Sequence, residues 1–280
     1  MVNFPNCKIN LGLRILRKRT DGYHDLETVF LPLAVHDILE AIPHPGGKDA
    51  AVTIQLSGQP IPGDPQANLV IKAWHLLKKD YPSLPVVQFH LHKTLPPGAG
   101  LGAGSADAAF ALTLLNQRFE LGISSQQLAT YALQLGSDVP FFLINSPAYA
   151  TGRGEQLTPV DLDLSGYSIV LIHPRIHVST AQAFSQLTPA VPAETLPTLL
   201  KQPIDTWKHS IVNDFEKPVF AQHLAIARIK TQLYEAGAVY ASMSGSGSSV
   251  FGLFKQPVPA IEFEEDYFQI ISHVIPKPRE

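Results

Sequence analysis

The stretch LPPGAGLGAGSADAA, Leu95 to Ala109, constrains this chain more than any other. Glycine and alanine cost conformational entropy and bury little apolar area, so packing is a poor reason for them here. Downstream, Ala108, Leu112, Leu115 and Phe119 recur at helical spacing, and Ser105 is placed to cap the helix start. A glycine-rich turn entering a helix offers free backbone N–H groups and the positive end of the helix dipole, and missing side chains let an anion approach. The stretch therefore predicts a phosphate site, with a plain loop-to-helix connector as the alternative.

Two known phosphate loops can be tested against it. A Walker loop needs Lys and Ser/Thr after its last glycine, but Gly102 and Gly104 are followed by Ala103 and Ser105. Gly98, Gly100 and Ala103 satisfy the dinucleotide fingerprint, and Glu120 stands at a fitting distance. That acid should end a second parallel strand, whereas Glu120 ends a helix. Thr94 to Pro97 also separate the glycines from the preceding strand. Neither motif applies.

At roughly 150 residues per domain, a chain of 280 residues predicts two, and the change of pattern near Leu162 places the boundary between 1–160 and 161–280. With 45% hydrophobic and 16% charged residues the chain can bury a sizeable core. A net charge of −3 supplies no basic field for nucleic acid, though a small phosphorylated ligand needs only a local site. Cys7 is the single cysteine, which excludes an internal disulfide and fits a reducing cytoplasm. No apolar run approaches the ~20 residues of a membrane span, and the N-terminus lacks a basic segment followed by an apolar stretch and cleavage site. The expectation is a soluble, cytoplasmic protein with no membrane partner; its oligomeric state cannot be read.

Cys7, Ile9, Leu11, Leu13 and Ile15 alternate with Lys8, Asn10, Gly12 and Arg14, the pattern of a half-buried strand. Asp21-Gly22 is a turn, followed by a second strand, HDLETVFLPLAV. AVTIQLS (51–57) and VVQFHLH (86–92) read as strands around a helix, NLVIKAWHLLKKDY; another helix, SQQLATYALQL, stops at Gly136. Beyond the boundary come a strand (YSIVLIHP), a proline-punctuated connector and a helix (LAIARIKTQLYEAG). YASMSGSGSSVFGLF then reads as two strands around a second small-residue loop containing Gly245, Ser246 and Gly247. His90 and His92 share a strand face, but nothing nearby completes a ligand set, and HPRIH (173–177) lacks the helical spacing of a zinc site. No resident metal site is predicted.

Six stretches together carry a resemblance. PNCKINLGL (5–13), DGYHDLETVF (21–30), PPGAGLGAGSADAA (96–109), LGSDVPFFL (135–143), ATGRGE (150–155) and SMSGSGSSVFGLF (242–254) resemble, in order, the 4-diphosphocytidyl-2-C-methyl-D-erythritol kinases of the GHMP small-molecule kinases. The resemblance runs over nearly the whole chain. It implies a two-domain α+β GHMP kinase fold, with a ribosomal-protein-S5-like N-terminal domain and a ferredoxin-like C-terminal one. It further implies ATP with Mg²⁺ as counter-ion and a cytidine-diphosphate sugar alcohol as substrate, phosphorylated on its 2-hydroxyl in the non-mevalonate route to isoprenoids.

By position, Lys8 and Asp138 match the catalytic pair, and Asn68 and Lys93 match positions near the adenosine. Pro96, Pro97, Gly98, Ala99, Gly100, Leu101, Gly102, Ala103, Gly104, Ser105 and Ala106 match the loop around the ATP phosphates. Asn10, Tyr23, His24, Thr180 and Phe184 match the substrate site, with Gly245, Ser246 and Gly247 bordering it. Ala99, Ala103 and Ala106 stand where many relatives have Gly, Gly and Ser, and SGSGSS replaces a commoner GTGA form. The added methyls leave the anion site intact provided those residues keep φ below zero.

The chemistry suits the pair. A sugar hydroxyl is a poor nucleophile, and a carboxylate that orients it and accepts its proton aids attack on phosphorus. A lysine favours the ionised carboxylate and offsets charge on the phosphoryl oxygens. Tyr23 and His24 can offer a base a stacking face and a hydrogen-bonding edge. The alternatives are a homoserine- or mevalonate-type kinase of the same superfamily and a non-catalytic nucleotide sensor.

Overall fold

The computed structural model describes residues 1–47, 50–255 and 257–275. They form two compact units drawn from interleaved stretches: Met1–Cys7, Val35–Pro97 and Gly102–Asn145 in the first, and Lys8–Ala34, Gly98–Leu101 and the chain from Ser146 onward in the second. The boundary proposed at residue 160 marks sequence segments; compactness in space follows these stretches.

The first unit holds a sheet of β1 (Val2–Asn3), β4 (Ile38–Pro43), β6 (Val87–Lys93) and β5 (Thr53–Gly58), in that order. Only the β5–β6 pair is parallel. Its helices are α1 (Leu69–Asp80), α2 (Ala103–Arg118), α3 (Ser125–Leu135) and α4 (Phe141–Ile144). Asn68 caps α1 by accepting the Val70 N–H at 2.9 Å. Val70, Ile71, Trp74 and Leu77 make the buried stripe of that helix, and Tyr81-Pro82 disfavours its continuation. Ser124 and Gln127 form a reciprocal capping box on α3, which ends at Gly136 as expected.

The start of α2 corrects the sequence reading. The N-cap is Gly102, in the left-handed region at φ 67°, with no side-chain cap. Ser105 therefore lies inside the first turn. A glycine can reverse the chain here without a Cβ clash, so the helix begins before Ser105 is reached. Its first N–H groups are left without a capping side chain.

The second unit holds two sheets. One is ordered β2 (Asn6–Lys18), β3 (His24–His36), β7 (Ala148–Thr151), β8 (Gln156–Pro159), the first two strands having their outer ends in stretches of the first unit. The other is ordered β10 (Tyr240–Met243), β11 (Val250–Lys255), β9 (Tyr167–His173), β12 (Phe268–Ser272). Helices α5 (Thr180–Ser185), α6 (Leu196–Leu199), α7 (Trp207–Ser210), α8 (Glu216–Gln222) and α9 (Leu224–Glu235) complete it. Ile226, Ile229 and Leu233 of α9 pack in one core with Ile172, Met243, Val250 and Phe254, joined by Leu13 and Ile15 of β2.

The alternation along β2 is present, but the strand is not half-buried. Both faces are covered from Asn6 to Leu13, because the polar face is occupied by hydrogen bonds rather than by water. His90 and His92 both hydrogen-bond to Ser57 Oγ, at 3.1 and 2.9 Å, a surface cluster on the sheet. No helix among the described residues is long and apolar enough to cross a membrane.

Candidate active site

Lys8 and Asn10 are two residues apart on β2, so strand periodicity puts them on one face, and both are buried. Lys8 Nζ donates to Asn10 Oδ1 at 2.8 Å and to the Gly100 carbonyl at 3.3 Å. Asn10 is held from its other end: Nδ2 donates to Thr28 Oγ1 at 2.9 Å, and that hydroxyl donates to the Gly12 carbonyl at 2.6 Å. Ser244 Oγ reaches the same two acceptors as the lysine, Gly100 O at 2.9 Å and Asn10 Oδ1 at 3.3 Å. Sequence reasoning missed Thr28, a hydroxyl without a periodic signal on its strand, and found Ser244 only as part of the second small-residue loop, not as a neighbour of Lys8.

The loop Gly98–Leu101 is tied down at its carbonyls. Leu101 O accepts the Lys8 N–H at 2.9 Å, and Ala99 O accepts the Ser249 N–H at 3.2 Å. Only glycines take positive φ between residues 96 and 106; Ala99, Ala103 and Ala106 do not, so their methyls cost no backbone strain. A Cβ at Gly100 would fall 2.1 Å from the Ser244 carbonyl oxygen, which makes glycine obligatory there. Pro96, Ala99, Leu101, Ala103 and Ala106 are buried, whereas Pro97, Gly98 and Gly104 are exposed. A Cβ at Gly98 or Gly104 would meet nothing within 4 Å. Gly98 in its loop and Gly104 in the first turn of α2 are thus each open, and the N–H groups of the α2 start carry no capping side chain, which suits an anion.

Four of the other substrate candidates of the second unit meet in pairs. The His24 ring stacks on Phe184 with centroids 4.9 Å apart and planes 21° apart. Tyr23 is 55% exposed, with the Arg153 guanidinium 4.9 Å from its ring centroid. Thr180 and Ser246 share a hydrogen bond of 2.8 Å between hydroxyls. One turn of α5 thus carries a residue to the second small-residue loop and another to His24. In that loop Gly247 N–H donates to Ser244 O at 3.1 Å, and Gly245 O accepts from Asn213 Nδ2 at 2.8 Å.

Asn68, Lys93 and Asp138 lie in the first unit. Asn68 uses its side-chain oxygen as the α1 cap. Lys93, at the end of β6, is buried between two carboxylates, donating to Asp37 and, at 2.8 Å, to Asp107. The second Asp37 oxygen accepts the Thr94 and Leu95 N–H groups at 2.7 and 2.9 Å. Burial works against charge on the ammonium, but Asp107 and Asp37 outweigh it and hold the Lys93 pKa above the usual lysine value. Burial likewise pushes the Asp107 carboxyl up, against the pull of Lys93. The triad anchors α2 and the approach to the loop; its members are too far apart in sequence for the pairing to be read. Asp138 stands in the turn between α3 and α4.

Residues 68–146 match the GHMP kinases N terminal domain, and residues 195–269 match the GHMP kinases C terminal family. The chain is 50% identical over 266 residues to the 4-diphosphocytidyl-2-C-methyl-D-erythritol kinase of Bacteroides fragilis, covering 94% of this chain and 96% of that protein. It is 50% identical over 255 residues to the enzyme of the same name from Bacteroides thetaiotaomicron, covering 91% and 92%. The crystal structure of a 4-(cytidine 5'-diphospho)-2C-methyl-D-erythritol kinase superposes with a TM-score of 0.73 at 30% identity, over 92% of this chain and 91% of that one. The two-domain α+β architecture, the two family matches and this identity over nearly the full length lead to one assignment: the chain belongs to the 4-diphosphocytidyl-2-C-methyl-D-erythritol kinases, within the GHMP kinases.

Proposed function

We infer that this chain transfers the terminal phosphoryl group of ATP to the 2-hydroxyl of 4-diphosphocytidyl-2-C-methyl-D-erythritol, a step of the non-mevalonate route to isoprenoids. The observation that carries the reading is the loop Gly98–Leu101, open at Gly98, whose Gly100 carbonyl is held by the buried Lys8 ammonium. Family membership supplies the substrate. Backbone N–H groups of the loop and of the α2 start, with the Ser105 hydroxyl, would hold the phosphates. Asp138 would orient the acceptor hydroxyl and take its proton, while Lys8 would offset charge gathering on the phosphoryl oxygens.

Mg²⁺ would enter on the nucleotide and neutralise phosphate charge. Mg²⁺ of this kind is ligated mostly by nucleotide oxygens and water. Tyr23 and His24 would recognise the cytosine, with Thr180, Phe184 and Gly245–Gly247 completing that side. Asn68 and Lys93 would border the adenosine. The cytoplasm is the proposed location, where ATP is available and Cys7 stays reduced.

Product detection with ATP and the diphosphocytidyl substrate, beside mevalonate and homoserine, tests the reading. Turnover is expected with the first alone. Phosphorylation of only homoserine or mevalonate would move the chain to another GHMP kinase, and ATP binding without any turnover would make it a sensor.

A further inference from the structure

Ser244 shares two acceptors of the Lys8 ammonium, Asn10 Oδ1 and Gly100 O, and its own position is fixed from outside the loop. Asn213 is buried, and its Nδ2 donates to the carbonyls on either side of Ser244, Met243 O at 2.7 Å and Gly245 O at 2.8 Å. Its Oδ1 accepts the Phe215 N–H at 3.0 Å. The backbone around Asn213 is locked to β2: Leu13 N–H donates to Val212 O at 2.9 Å, and Asp214 N–H donates to Leu13 O at 2.8 Å. Glu216 adds a third hold, its Oε1 accepting the Met243 N–H at 2.8 Å and the Ser242 hydroxyl at 3.0 Å. Asn213 therefore clasps the backbone on either side of Ser244 with its side chain, while its neighbours Val212 and Asp214 bond the strand bearing Lys8.

We propose that Asn213 and Ser244 are positioning residues for phosphoryl transfer: Asn213 sets the Ser244 hydroxyl, which fixes the two acceptors that aim the Lys8 ammonium. An ammonium on a four-carbon stem has three rotatable donors and no preferred direction of its own. Two immobile acceptors define where it points. Asn10 Oδ1 and Gly100 O supply them, and the single Ser244 O–H stands within reach of both, nearer to Gly100 O. The inference rests on the proposed role of Lys8.

The test is kcat and KM for both substrates in Ser244→Ala and Asn213→Asp, with thermal midpoints. Loss of aim should lower kcat roughly 10-fold or more, since small misplacements of a reacting group are costly. The Ser244→Ala midpoint should stay near wild type. Placed in a Lys8→Ala background, Ser244→Ala should change residual kcat less than twofold, because its effect runs through the lysine. An unchanged kcat in the single variant, or the same factor in both backgrounds, overturns the proposal. Asp214→Ala is the control and decides if the Lys8 variant is silent. Asp214 Oδ2 accepts the Ile15 N–H at 2.8 Å from the same segment but does not touch the loop. It should lower the midpoint and keep kcat within twofold; losses of kcat equal to those of Asn213→Asp would show a merely structural segment. Normal turnover by Lys8→Ala itself would instead sink the role of the lysine on which the inference stands.

Discussion

Asp138 and Tyr23 carry the most direct tests at the scale of single residues. Asp138→Asn is nearly isosteric, so nucleotide affinity should stay near wild type while kcat falls roughly 10²–10⁴-fold, the usual range for a positioned acid–base group. Near-normal kcat in the folded variant would remove Asp138 from the chemistry. Tyr23→Ala should weaken the cytidine substrate by about 1–3 kcal/mol if the ring stacks on the base, and the exposed ring under Arg153 leaves a face for that contact. His24→Ala should weaken discrimination against uridine analogues. KM measured separately for each substrate decides, and an effect confined to ATP would place the cytidine elsewhere. The positions of Lys8 and Asn10 on one strand face were legible as alternation. The reason both are buried was not, because Ser244 and Gly100 arrive from remote parts of the chain.

At the scale of elements, the loop-to-helix junction changes which glycine is informative. Gly100→Val would drive a side chain into the Ser244 carbonyl and damage the fold, so lost ATP binding there would say little. Gly104 is helical and faces open space. Gly104→Ala should keep or slightly raise the thermal midpoint, alanine being the better helix former by up to ~1 kcal/mol. Its methyl would stand in the proposed phosphate cradle, so ATP affinity by calorimetry should fall about 10-fold. Unchanged affinity would return the stretch to being a connector. The helices at Leu69, Ser125 and Leu224 were readable from apolar spacing and stop signals. The N-terminus of α2 was misread because a serine in the first turn looks like a cap, while a glycine in the left-handed region makes a start that no propensity marks.

For the whole molecule, acid stability follows from His173 of β9. Burial, with the positive charge of Arg175 as a second cause, lowers its pKa from 6.5 to about 4. Between those two values the unfolded chain binds the proton and the folded chain does not, so stability falls as pH drops through this window. Burial shifts His36 in the same direction. The thermal midpoint should therefore decline from pH 7 to pH 4.5, and His173→Gln should flatten that decline. An identical slope in the variant would assign the acid sensitivity to other groups.

The assembly of the second unit from distant stretches of chain also bears on how the protein is made. Ile15 donates its N–H to Asp214, 199 residues further along, and Leu13 bonds to the backbone of Val212 and Asp214. A ribosome adding about 5–20 residues per second would release β2 roughly 10–40 s before the segment that completes it. Throughout that interval the Lys8 strand is a nascent edge with open backbone groups, available to chaperones and to misplaced pairing. Catalytic competence would then come late and abruptly, when the last quarter of the polypeptide leaves the exit tunnel.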